Sequence, residues 1–105
     1  MSVWLVALYR KPVGGDEALA TFLRRYRDEH LPLMAEVPGL LETNMRRVTH
    51  AYGESDLALV TEMTFEDRAA LDVAMASDEM RLAGRNLREI APGLFTLIVL
   101  EDDGS

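Results

Sequence analysis

From Val3 to Tyr9 every residue is apolar and most favour strands, and Pro12, Gly14 and Gly15 stop the run, which reads as a β-strand. Asp16 suits the N-cap of the next segment. There Ala18, Leu19, Phe22, Leu23 and Tyr26 recur at intervals of three and four, the spacing of an amphipathic helix. Pro32 is expected to end that helix, because its ring removes a donor and disfavours helical geometry at Leu31. A further turn or two over residues 31–37 leads to the breaker Pro38-Gly39. A more polar second strand follows over residues 40–50, and Tyr52 to Asp56 supply loop chemistry. Residues 57–65, LALVTEMTF, predict a third strand. Thr64 or Asp67 then caps one helical segment and Ser77 or Asp78 caps another. Pro92-Gly93 punctuates before the last strand, LFTLIVL, and the acidic tail of residues 101–105 is expected to fray.

The order β-α-β-β-α-(α)-β is the split βαβ, ferredoxin-like plan: an α+β fold whose four-stranded antiparallel sheet carries its helices on one face. A sheet covered on one side should alternate apolar with polar residues. Here the first strand sets Val3, Leu5, Ala7 and Tyr9 against Trp4, Val6 and Leu8, and the last sets Leu94, Ile98 and Leu100 against Phe95, Leu97 and Val99. Both faces are apolar, with helices enough to cover only one. An uncovered second face would exceed the apolar patch that soluble monomers tolerate, so burial alone predicts a homodimer. The 105 residues suit one domain, and a chain this short gains from the extra burial.

Charge narrows the partners. Asp and Glu number 18 against 11 Lys and Arg, a net of −7. That argues against a nucleic-acid binder, which needs a basic face, and equally against an anionic membrane surface. With no cysteine there is no disulfide, zinc-thiolate site or thiol nucleophile. No basic leader with a cleavage site opens the chain and no apolar run is long enough for a membrane helix, so a cytoplasmic protein is expected. Gly14-Gly15 lacks the rest of a phosphate-binding loop, and neither a dinucleotide fingerprint nor a nucleophile elbow occurs, so no cofactor is expected. Consecutive helical residues point apart, so Asp28, Glu29 and His30 form no metal site.

The chemistry-bearing candidates are few. His30, one of two histidines, follows Phe22 and Tyr26 at steps of four and shares their sheet-facing side. Its imidazole is suited to proton transfer near neutral pH. A structural role at a helix end, donating to a freed carbonyl, is the competing reading. Glu62 sits mid-strand among apolar neighbours and, if Phe65 packs under the helices, points to the opposite face. A carboxylate there needs a polar cavity or an arginine, with Arg47 or Arg10 as candidate partners, and its role is either catalysis or an ion pair at the dimer interface. Thr43, Met45 and Arg47 share one face of the second strand and Tyr9 closes the first; they are candidate pocket walls, although Met45 and Tyr9 also suit plain packing.

At this point LVALYRKP, FLRRYRDEHLPL, VPGL, EMTFED and ASDEMR together resemble the EthD family, within the dimeric α+β barrel superfamily. The resemblance runs from Val3 to Leu100, and its most specific part is Tyr26 to Leu33 followed by Pro38-Gly39-Leu40; the family's usual tryptophan near Tyr26 is a tyrosine here. It implies a subunit whose sheet closes with a second copy into a shared barrel. Relatives on this fold include cofactor-free isomerases, polyketide cyclases, quinone-forming monooxygenases and haem-handling proteins, and fold does not settle chemistry. In the muconolactone methylisomerase-like relatives the histidine matching His30 sits at the ligand pocket, and Tyr26, one turn before His30, and Met63 join the candidate substrate-binding residues of this chain. Their aromatic hydroxyl on the second strand matches Thr43 and their thiol on the third matches Met63, departures that weaken transfer of that reaction. Three expectations stand. One is a cofactor-free enzyme moving a proton on a small hydrophobic, oxygenated molecule, with His30 as acid or base and Glu62 or Arg47 orienting it. Another is a non-catalytic binder or accessory protein of such a metabolite. The third is a monooxygenase-like or haem-associated barrel, disfavoured because His30 is the sole good axial candidate.

Overall fold

The computed structural model describes residues 2–104. Four strands, β1 (Val3–Arg10), β2 (Glu42–Arg47), β3 (Leu57–Phe65) and β4 (Phe95–Glu101), form one antiparallel sheet in the order β2-β3-β1-β4. The helices are α1 (Gly15–Arg25), a short α2 (Leu31–Met34), α3 (Arg68–Met75) and α4 (Asp78–Ile90). This is the ferredoxin-like α+β arrangement that the element order predicts. Glu101 belongs to β4, residues 102–104 follow it without regular structure, and Ser105 lies outside the described residues.

Local chemistry accounts for the helix starts. The Asp67 carboxylate accepts from the Ala70 N–H at 2.8 Å and the Ser77 hydroxyl from the Met80 N–H at 3.1 Å, so of the paired candidates these two cap α3 and α4. The first helix differs from expectation. Its N-cap is Gly14, at φ 119°, where a Cβ would stand 2.9 Å from that of Ala18; Asp16 lies inside the first turn, complementing the helix dipole.

Pro32 does not end the helix. Between α1 and α2 the chain makes a wider π-helical turn over Tyr26–His30, closed by the Leu31 N–H on the Tyr26 carbonyl, and Pro32 falls in the first turn of α2. A proline in a regular helix clashes with the carbonyl four residues back and deletes a hydrogen bond. The widened turn occupies the stretch where that conflict would fall, so the helix continues to Met34. Such insertions recur at functional sites. Here it turns His30 and Tyr26 inward: both are buried.

Strand alternation places Leu5, Ala7, Tyr9, Leu59, Thr61, Met63 and Phe65 under the helices, in a core completed by Phe22, Tyr26, Leu71, Ala83 and Leu87. The other face carries Trp4, Val6 and Leu8, paired in register with Thr64, Glu62 and Val60 of β3 and with Leu100, Ile98 and Thr96 of β4. Leu100 there is 44% exposed. Among the described residues no helix packs on that face, and no helix is long and apolar enough to cross a membrane.

Candidate functional site

Between the helix-covered side of the sheet and α4 lies a cavity of about 310 Å³, at the small end of ligand pockets. Its floor is β1 (Leu5, Ala7, Tyr9) and Met63, with Phe95 and Leu97 of β4 at the side where the helices stop. Its walls are methionines, Met34, Met75 and Met80, adaptable side chains that accept irregular apolar shapes. The polar groups are few and placed: His30 inside, Ser77, Arg81 and Arg88 along α4 and its cap.

His30 is 4% exposed and packs against Tyr26, ring centroids 5.1 Å apart and planes tilted by 37°. Its Nδ1 stands 3.3 Å from Asn86 Oδ1. The orientation of that amide is fixed from behind, because Asn86 Nδ2 donates to Glu29 Oε1 at 3.0 Å and a carboxylate only accepts. Oδ1 must therefore receive from the imidazole, so the neutral ring carries its proton on Nδ1 and keeps a lone pair on Nε2. Glu29 is gripped in turn by Arg25, at 2.7 and 3.0 Å, and Arg25 reaches Glu89 at 3.1 Å. Arg25 holds the Glu29 carboxyl below its ordinary value, with Asn86 adding to that. Burial depresses the His30 value, only partly opposed by Asn86 and the Ala83 backbone, so the ring is neutral at physiological pH. A neutral, oriented imidazole on an apolar cavity wall is a competent proton acceptor.

Behind the floor runs a second polar chain. The Tyr9 hydroxyl donates to Tyr26 at 3.1 Å and Tyr26 donates to Thr61 at 2.7 Å, with all three side chains at most 1% exposed. Burial, then the neighbouring Tyr26, pushes the Tyr9 phenol far up, and burial raises Tyr26 as well, so both stay protonated. Tyr9 contributes directly to the cavity; Tyr26 supports it and the imidazole from the second row.

The other expected site residues fall elsewhere. Register pairs Asn44 with Glu62 and Met45 with Thr61, so Thr43, Met45 and Arg47 lie on the helix side while Glu62 lies on the open side. Glu62 cannot meet His30 through the sheet, and the expected Arg47 or Arg10 partner is replaced by Arg46, whose Nη1 is 2.7 Å from Glu62 Oε1. Arg10 instead donates to Thr96 and to the Gly93 carbonyl. Thr43 and Arg47 are exposed on the far edge strand, Arg47 beside a separate hollow with Lys11 and Asp16, and Met45 packs against the core. None of the three lines the cavity, whereas His30, Tyr9 and Met63 do. Asn86 was missed, though a polar residue one turn after the apolar Ala83 and next to Leu87 was its trace in the sequence. Among the described residues no group of three or more His, Asp or Glu is placed to hold a metal ion.

Comparison with known proteins bears on the family and the fold. The EthD domain model matches residues 16–86. An EthD family protein from Bacillus halodurans shares 33% identity over 97% of this chain and 99% of its own, with a TM-score of 0.85. A dimeric ferredoxin-like protein of unknown function from Bacteroides fragilis covers 95% of each chain at 12% identity and a TM-score of 0.68. A variant of SnoaB, a cofactor-independent oxygenase from Streptomyces nogalater, superposes at a TM-score of 0.62, with 16% identity over 99% of this chain and 95% of its own. These last two show the fold alone. No curated protein matches the chain. A domain match over most of the sequence and end-to-end similarity to a member place this chain in the EthD family.

Proposed function

We propose that this EthD-family chain is a homodimeric, cytoplasmic, cofactor-free enzyme that moves a proton on a small hydrophobic, oxygenated molecule held between its sheet and α4. The observation that carries the reading is His30: buried, neutral, and held through Nδ1 by Asn86 on the wall of an apolar cavity. His30 takes a proton from a carbon next to a carbonyl and returns it elsewhere, which yields isomerase, lyase or cyclase outcomes according to the substrate. Tyr9 and Met63 shape the pocket; Tyr26 backs the imidazole.

The open sheet face supports the dimer. Trp4, Leu8, Val60, Ile98 and Leu100 lie together on that face around the buried Val6, and a protein of this fold is described as dimeric. Facing a second sheet, Glu62 and Arg46 serve an interface ion pair, the structural alternative to catalysis by Glu62.

The test uses β-tetralone, a hydrophobic ketone, in deuterium oxide. Wild-type protein should accelerate deuterium uptake at the carbon beside the carbonyl, and His30→Gln should return it to the buffer rate; positioned acid–base groups contribute about 10²–10⁴-fold. Equal rates for the two proteins would overturn the role of His30. Binding of the ketone without any acceleration would favour the accessory binding protein.

A further inference from the structure

We infer that Tyr9 is a second catalytic residue: its hydroxyl donates to the carbonyl oxygen of the bound molecule while His30 moves the proton, with Tyr26 and Thr61 as positioning residues behind it. The inference deepens, and rests on, the reading of His30 as the base. Removing a proton beside a carbonyl leaves charge on the oxygen, and in an apolar cavity that charge needs a donor. The polar side chains on the lining are His30, Tyr9, Ser77, Arg81 and Arg88, and only His30 and Tyr9 are buried. Ser77 is occupied as a helix cap, donating to the Ala74 carbonyl at 2.6 Å and accepting from the Met80 N–H at 3.1 Å. Arg81 is held by Asp78 at 2.6 Å, and Arg88 is exposed. Tyr9 is the buried donor that remains.

The residues around Tyr9 mark the same group. On the helix side of the sheet it lies across from Leu59 on β3 and Phe95 on β4, both apolar, and a phenylalanine there would pack as well and need no partner. Thr61 likewise puts a hydroxyl where the rest of the helix side of β3 is Leu59, Met63 and Phe65. Tyr26 joins the two, 3.1 Å from Tyr9 and 2.7 Å from Thr61. A hydroxyl both donates and accepts, and its hydrogen rotates. Without a ligand the row runs from Tyr9 to Tyr26 to Thr61. An oxygen arriving at Tyr9 reverses it, so that Thr61 donates to Tyr26, Tyr26 to Tyr9 and Tyr9 to the ligand, each donation strengthening the next. Burial keeps both phenols protonated, so the donor is present throughout the neutral range. Tyr26 also touches both catalytic groups, its ring centroid 5.0 Å from that of Tyr9 and 5.1 Å from that of His30, which sets donor and base within the span of one small molecule. In the step itself His30 takes the proton, the C–H electron pair moves into the carbon–carbon bond, and the carbonyl pair moves onto the oxygen that Tyr9 holds. Return of the proton from His30 to carbon reverses the electron shift and leaves Tyr9 unchanged.

β-Tetralone again serves as the probe, read by deuterium uptake and by the infrared band of its carbonyl when bound. In wild-type protein that band should lie below its position in cyclohexane, because a donated hydrogen bond weakens the C=O bond. Tyr9→Phe should return the band to the cyclohexane position and slow uptake by about 10²–10³-fold, the cost of removing one oxyanion donor. Thr61→Val, which touches no ligand, should slow uptake by about fivefold, the contribution of one hydrogen bond, and carry the band part of the way back. That variant keeps the inference testable if Tyr9→Phe does not fold, and a wild-type rate and band in Thr61→Val would overturn the relay. A purely packing role for Tyr9 would lower thermal stability in Tyr9→Phe and move neither band nor rate. That result, alongside loss of uptake in His30→Gln, would overturn this inference and leave the base standing. Ketone that does not bind, or that exchanges at the buffer rate in wild-type protein, would overturn the His30 reading and this inference together.

Discussion

Tyr26→Phe deletes one oxygen from the middle of a buried chain, and the geometry sets what that should do. Two hydrogen bonds vanish, Tyr9 to Tyr26 at 3.1 Å and Tyr26 to Thr61 at 2.7 Å. Each is worth about 1 kcal/mol net, and a buried group left without a partner adds a penalty of about 1–3 kcal/mol. Thr61 is 0% exposed and bears that penalty in full, whereas Tyr9 borders the cavity and can turn its hydroxyl towards it. The expected loss is roughly 2–4 kcal/mol, or roughly 10–25 °C of melting temperature for a domain of this size. Removing Thr61 as well, in Tyr26→Phe/Thr61→Val, takes away the stranded partner. The double variant should therefore be more stable than the sum of the single losses implies, with a coupling of about 1–2 kcal/mol. Urea unfolding followed by Trp4 fluorescence measures all three variants, at one fixed protein concentration because a dimer's apparent stability depends on it. Strict additivity, or a Tyr26→Phe loss below about 0.5 kcal/mol, would refute the idea that the three hydroxyls act as one unit.

Two further outcomes follow from the structure. Burial lowers the proton affinity of His30 in the folded chain, so below the ordinary imidazole value of 6.5 the unfolded chain takes up a proton that the folded chain does not. The stability His30 contributes is complete above that pH and is lost as pH falls towards the depressed folded value; His30→Gln should flatten this part of the urea midpoint-versus-pH curve, and an unchanged slope would contradict it. On the open face, Leu8→Glu places a charge where Trp4, Val6 and Leu8 are proposed to meet a second sheet. Each copy loses about 1.5–3 kcal/mol of apolar burial, twice over by symmetry, so sedimentation should find monomer at micromolar concentration, and an intact dimer would refute that face as the interface.

Element types were legible because the apolar patterning is strong: the period of α1 and the runs of β1 and β3 appear in the structure with the expected spans. His30 was legible too, since Phe22, Tyr26 and His30 recur by fours and are all buried. Reading Pro32 as a helix end failed because a single inserted residue in the hydrogen-bond ladder lets the helix pass a proline, and nothing in composition marks a π-helical turn. Reading Glu62 as a companion of Arg47 failed for a different reason. Each strand's faces were assigned correctly, but which face of β2 joins which face of β3 is a matter of register, and register placed Arg46 beside Glu62 instead. Asn86 lies 56 residues from His30, and only the docking of α4 on the π-helical turn brings them together.

Proton transfer at this site needs a neutral His30 whose proton is on Nδ1, leaving Nε2 as the basic nitrogen. Long-range proton–nitrogen correlation of the imidazole, on protein labelled with nitrogen-15 and held at pH 7.5, reads this directly. The account predicts a protonated, pyrrole-type Nδ1 and an unprotonated, pyridine-type Nε2, with Asn86→Leu loosening that preference. A ring protonated on Nε2 alone, or an imidazolium at that pH, would contradict it.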